Sequence, residues 1–171
     1  MIFVGYQGVG KSTLANEDLR FVDLESSYTF IDGVRPEGWE KIYVNFALCL
    51  SEQGRYVFLS SHKEVRNELK RRKIPFNCIV PTLELKDKWI ERLENRYIET
   101  KTIKDLKALL NAKEYFEENI KDIIQDGNFQ NNHLWYIEDT NINLKNYFPP
   151  KDSEEEKEFK NRWEELKNVK D

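Results

Sequence analysis

The stretch Gly5-Tyr6-Gln7-Gly8-Val9-Gly10-Lys11-Ser12 constrains the fold more than any other part of the chain. An apolar run, Met1-Ile2-Phe3-Val4, enters it, and Lys11 to roughly Glu17 has the character of a helix with Leu14 facing inward. A strand that turns through glycines into a helix needs backbone freedom at the turn. The spacing is G-x-x-x-x-G-K-S, the Walker A pattern. In that pattern, successive loop N–H groups, here those of Gly8, Val9, Gly10, Lys11, Ser12 and Thr13, face phosphate oxygens. Lys11 supplies a cation for the terminal phosphates, and Ser12 supplies a hydroxyl ligand for Mg²⁺. A glycine turn serving only to connect strand and helix would need neither the lysine nor the serine.

Downstream the pattern alternates. Strands are expected at Arg20–Glu25, at "RYVFLSS" (55–61), at "FNCIV" (76–80) and at "NNHLWYIED" (131–139). Helices are expected from Pro36 to Gly54, over "HKEVRNELKRRK" (62–73), over 82–100, and over 102–127 with a break near Ala112. The run "YVFLSS" is continuously apolar before its serines, as a strand buried on both faces would be. Five strands alternating with helices predict an α/β fold of three layers around a five-stranded parallel sheet. Ligands of such sheets sit outside the carboxyl ends of the strands. Gly5–Ser12, Asp23–Ser27 and Ser60–His62 should therefore meet on one rim.

Composition narrows the function. The 171 residues suit one domain, 34% of them are charged, and the formal net charge is −4. Such a chain lacks the basic field that holds long nucleic acid, although a mononucleotide or a nucleic-acid end remains compatible. No apolar stretch approaches membrane-spanning length and no signal core follows the N-terminus, so a cytoplasmic setting is expected. Cys49 and Cys78 both lie in apolar runs and are expected to be buried, reduced thiols. After Pro149-Pro150 comes a charged helical tail, 149–171, with Phe159, Trp163 and Leu166 on one side. That stripe should dock on the domain, with pairing to a second copy as the alternative; the glutamate run reads as a solvated face.

Other clusters carry candidate chemistry. The central strand ends in Ser60-Ser61 without the acid a motor would place there, and no Asn-Lys-x-Asp base reader follows a strand. Glu138 and Asp139 end "LWYIED" and read as surface acids. A transferase needs an acid or base near the acceptor, cations over the transferring group, and exclusion of water. Asp23 ends the second strand and would orient an acceptor or hold a metal-bound water, with Glu25 as its substitute. Ser26 and His62 are candidate acceptor contacts, with helix capping as the competing role for Ser61 or His62. Arg66, one turn into its helix, reads equally as an acceptor-phosphate ligand or a solvated charge. Arg92 and Arg96 are four residues apart and share a helix face, in the segment 84–101 where a lid would hang. Trp39 and Tyr43 share a face too, able to stack on a base or to pack the core.

Together "MIFVGYQGVGKST", "FVDLESS", "RYVFLSSHKEVRNEL" and "WIERLENR" resemble the small P-loop kinases of the nucleoside monophosphate kinase type, in particular the compact versions of phages and some bacteria. The resemblance spans roughly residues 1–148. It implies a P-loop NTPase fold with a helical lid, ATP as donor, Mg²⁺, and a nucleotide-like acceptor. By motif position it makes Lys11 and Ser12 donor and metal ligands, Arg92 and Arg96 lid arginines, and Asp23 the acceptor-side acid. The acceptor-phosphate arginine of adenylate kinases is missing after the first helix, and so is their D-G-F-P-R stretch. "IDGVRP" is a loose echo of it, in which Arg35 would serve. A kinase of another small hydroxyl acceptor or of a polynucleotide 5′ end stays open. So does a non-catalytic nucleotide-binding module.

Overall fold

The computed structural model describes residues 1–128 and 133–168. Five strands form one sheet: β1 (Ile2–Gly5), β2 (Phe21–Asp23), β3 (Tyr56–Ser60), β4 (Asn77–Pro81) and β5 (Leu134–Ile137). Their order is β2-β3-β1-β4-β5, and every pairing is parallel. The helices are α1 (Lys11–Glu17), α2 (Trp39–Glu52), α3 (Lys63–Arg71), α4 (Lys86–Thr100), α5 (Ile103–Gly127) and α6 (Glu154–Asn168). This is the expected α/β architecture, compatible with three layers. Asn131 and Asn132, which the expected fifth strand included, lie outside the described residues, as do 169–171 of the tail.

Period-2 alternation makes one face of the sheet aromatic. Phe3, Phe21, Tyr56, Phe58 and Trp135 contact one another there through ring pairs 4.9–6.3 Å apart. The chain's own C-terminal segment covers them. Phe148 packs edge-on against Phe3 and Phe21, at 5.2 and 4.7 Å, and Phe159 of α6 stacks on Tyr56 at 6.2 Å. Trp163, one turn further along α6, is also buried in the core. The tail therefore docks, and the stripe that would pair with a second copy is turned onto this chain's own sheet.

The glutamate run is not wholly a solvated face. Glu154 and Glu155 are exposed, but Glu156 is 2% exposed. It accepts hydrogen bonds from Arg20 Nη1 at 3.0 Å, Tyr56 Oη at 2.9 Å and the Asp152 amide at 2.7 Å, and pairs with Lys160 Nζ at 3.0 Å. These four donors explain how a carboxylate survives in an aromatic core. Cys78 is buried as expected, whereas Cys49 is exposed: it falls on the outer side of α2, near exposed Ile42 and Phe46. Both cysteines are free.

On the other face, α3 and α5 are cross-linked by charge. Arg66 is 3% exposed, with Nε 2.5 Å from Asp126 and with Asp122 and the Ser61 carbonyl on its other nitrogens. The long helix α5 is interrupted at Tyr115 (φ −125°, ψ 20°), three residues beyond the expected break at Ala112. Among the described residues no helix is long and apolar enough to cross a membrane.

Candidate active site

The carboxyl ends of β1, β2 and β3 open into a cleft of about 1730 Å³, walled on the far side by α4 and the start of α5. The glycine loop forms its floor. Gly8 and Gly10 have φ of 87° and 95°, a region closed to most side chains. A Cβ at Gly8 would also stand 3.1 Å from Leu93 and 3.2 Å from the Trp89 indole. Lys11 folds back over the loop, donating from Nζ to the carbonyls of Gly5 (3.0 Å) and Tyr6 (3.2 Å). A Cβ on Gly5 would sit 2.9 Å from the Lys11 Cδ, so a larger residue there would displace the lysine side chain from this position. Burial lowers the Lys11 pKa, while Asp23 and Glu25 act in the opposite sense.

Ser12 Oγ donates to Asp23 Oδ2 across the gap between α1 and β2. The carboxylate is thereby directed at the hydroxyl expected to bind metal. A hydroxyl beside a carboxylate is an all-oxygen set suited to Mg²⁺, which takes one or two protein ligands and keeps several waters. Loop glycines, Lys11 and the Ser12–Asp23 pair thus fit a magnesium-bound polyphosphate. Thr13 lines the same floor.

The segment 84–101 is anchored at its beginning instead of hanging free. Trp89 and Leu93 are buried, and Trp89 Nε1 donates to the Gln7 carbonyl at 3.0 Å. Gln7 in turn donates to the Ala108 carbonyl at 2.8 Å, tying the loop to α5. Arg92 lies over the loop, donating from Nε to the Gly8 carbonyl (3.2 Å) and from Nη1 to the Thr140 carbonyl (2.7 Å). Neither partner is a carboxylate, and among the described residues Arg92 forms no ion pair. Burial lowers its pKa, and the charge of Arg96 adds to this. Arg96 also lines the cleft but pairs with Asp105 at 2.7 Å. Asp105 is held at the start of α5 by the hydroxyls of Thr100 (2.6 Å) and Thr102 (2.9 Å). The two arginines share a wall, and among the described residues Arg96 has a carboxylate partner and Arg92 has none.

The other expected contacts separate into two groups. Ser26, Arg35, Trp39 and His62 come together although they span 37 positions. Arg35 Nη2 lies 2.9 Å from both Ser26 Oγ and His62 Nε2, and the guanidinium lies 4.2 Å from the Trp39 ring centre and 5.0 Å from that of Phe30. Trp39 itself is buried and backs Arg35 without lining the cleft. Tyr43 is a core residue whose hydroxyl donates to the Leu24 carbonyl and accepts from the Ser60 amide at 3.1 Å. His62 stands at the N-cap of α3 but makes no capping bond; its ring turns to Arg35 instead. Arg66 reaches the cleft wall, yet Asp122 and Asp126 already neutralise it. Sequence reasoning missed Thr140 and Asn141, which line the cleft beside Arg92; Asp139, read as a surface acid, is exposed and borders the same cleft. Their position after the fifth strand was the available signal.

No family model matches this chain, and no curated protein matches it either.

Proposed function

We propose that the protein is an ATP- and Mg²⁺-dependent phosphotransferase, with a nucleoside monophosphate as acceptor. One observation carries this reading: a glycine loop with its lysine, a serine–carboxylate pair, and two arginines, Arg92 and Arg35, without carboxylate partners among the described residues, all face one cleft. At about 1730 Å³ that cleft exceeds the roughly 300–1,000 Å³ of a site for one small ligand, so donor and acceptor fit together.

In this reading Lys11 leaves the Gly5 and Tyr6 carbonyls for the donor's terminal phosphates. Ser12 binds the metal, whose chemistry is to neutralise charge on the transferring phosphate. Asp23, which accepts from Ser12, would orient the acceptor or help Ser12 hold the metal. Arg92, already docked on the loop, lies where charge spreads over the transferring group. Arg96, held by Asp105, adds a second cation on the same wall for the transferring group. Arg35 reads the anionic end of the acceptor, with Ser26 beside it. Such an enzyme would work in the cytoplasm.

The test is an ATP-consumption screen against the common mononucleotides, nucleosides and DNA 5′ ends. Stimulation by a mononucleotide supports the reading. Stimulation by a nucleoside or DNA end alone would instead make Asp23 a general base for a hydroxyl acceptor. Tight ATP binding with no stimulation would leave a nucleotide-binding module and overturn the enzyme.

A further inference from the structure

The acceptor half of the cleft contains a guanidinium with an unusual set of neighbours. Among the described residues the direct contacts of Arg35 are neutral: the Ser26 hydroxyl, the His62 ring, and the faces of Trp39 and Phe30. Its Nε is buried with no hydrogen-bond partner among the described residues. A guanidinium only donates. The His62 Nε2 at 2.9 Å must therefore carry its lone pair, and the neutral ring keeps its proton on Nδ1. Trp39 meets this ring edge-on at 5.5 Å and fixes its plane. Burial, then the charge of Arg35, takes the His62 pKa down to about 4; Arg66 and Lys11 push the same way and Glu64 opposes them.

We propose that His62 is a positioning residue, whose unprotonated Nε2 holds the Arg35 guanidinium turned toward the cleft to receive a phosphoryl group of the acceptor. His62 neither transfers a proton nor touches the acceptor. This role rests on the kinase reading for its acceptor and on the geometry alone for its hold on Arg35. A phosphoryl group is favoured over a carboxylate because its three terminal oxygens match further donors on the same wall. The hydroxyls of Ser27, which is exposed, and of Ser61, which is half-buried, line the same cleft.

The full ¹⁵N-labelled chain tests this, with inorganic phosphate as probe and the His62 ring and Arg35 Nε–Hε resonances as readouts. At pH 7 the Nε2 shift should be that of an unprotonated ring nitrogen, and phosphate should move the Arg35 resonance saturably. His62→Leu should weaken that response about tenfold, the size of one hydrogen bond to a charged group. His62→Gln, which returns an acceptor oxygen, should stay within about twofold of wild type. With a mononucleotide acceptor the same two variants should differ in KM and not in kcat. A protonated Nε2, equal phosphate binding by His62→Leu, failure of His62→Gln to rescue, or an equal response to acetate would each overturn the proposal. Circular dichroism of both variants separates this from misfolding, and Arg35→Ala should remove the effect of phosphate on the His62 ring resonances. If Mg·ATP binding proves independent of Lys11 while Arg35 and His62 behave as stated, the kinase reading falls and the hold of His62 on Arg35 stands.

Discussion

Replacing Glu156 by glutamine removes one charge from the junction between tail and sheet while conserving volume. The carboxylate is 2% exposed and serves Arg20, Tyr56, Lys160 and the Asp152 amide. Breaking a buried ion pair by removing one partner costs about 3–5 kcal/mol. Here Arg20 keeps Asp18, at 2.8 Å, and Lys160 is 44% exposed and can return to water. The expected loss is therefore smaller, about 2–3 kcal/mol, or roughly 5–10 °C in Tm for a chain of this size. Acidity adds a second signature. Burial alone would raise the Glu156 pKa, but the Asp152 amide, Lys160, Tyr56 and Arg20 outweigh it and bring it from 4.5 to about 2. A carboxyl whose folded pKa is depressed stabilises fully above its unfolded pKa and loses that contribution as pH falls to the folded one. Urea denaturation should therefore show a constant gap between wild type and Glu156→Gln from pH 5 to 7. The gap should be about halved near pH 3 and nearly closed near pH 2. A gap below about 0.5 kcal/mol at pH 7, or one that does not narrow in acid, would refute the reasoning.

Further outcomes follow from other contacts. Arg92→Ala should lower phosphoryl transfer about a hundredfold while changing ATP affinity far less, in steady-state rates set beside direct titration. Gly8→Ala places a Cβ at positive φ against Trp89 and Leu93, and should cost about 1–3 kcal/mol of stability, measured by thermal unfolding, and weaken ATP binding. Trp89→Phe leaves the Gln7 carbonyl without its donor and should cost about 1–3 kcal/mol in the same assay. A thiol reagent should modify Cys49 in the native protein and reach Cys78 only in denaturant, since burial pushes the Cys78 pKa up to about 12.

Local rules made much of this molecule readable from its residues. The apolar runs and glycine punctuation located all five strands and the helices to within a few residues, because period and turn chemistry are short-range properties. The meeting of the glycine loop, Asp23 and Ser60–His62 on one rim followed from strand order in a parallel sheet. What escaped depends on contacts distant in sequence. Arg66 reads as a free cation until α5 brings Asp122 and Asp126 to it from 56 and 60 positions away. Glu156 reads as a surface acid until Arg20 and Tyr56 meet it across the sheet. His62 reads as a helix cap because only the fold brings Arg35 within reach of its ring. Cys49 misled for a simpler reason: an apolar run on a helix includes its outer face.

The central claim is that the loop Gly5–Ser12 binds a magnesium-bound triphosphate through Lys11. Calorimetric titration of Mg·ATP into the wild-type protein and into Lys11→Ala tests it most directly. Saturable 1:1 binding that weakens at least about tenfold in the variant is predicted, as loss of a charge-assisted phosphate contact requires. No binding by the wild-type protein, or equal binding by both, would contradict the account.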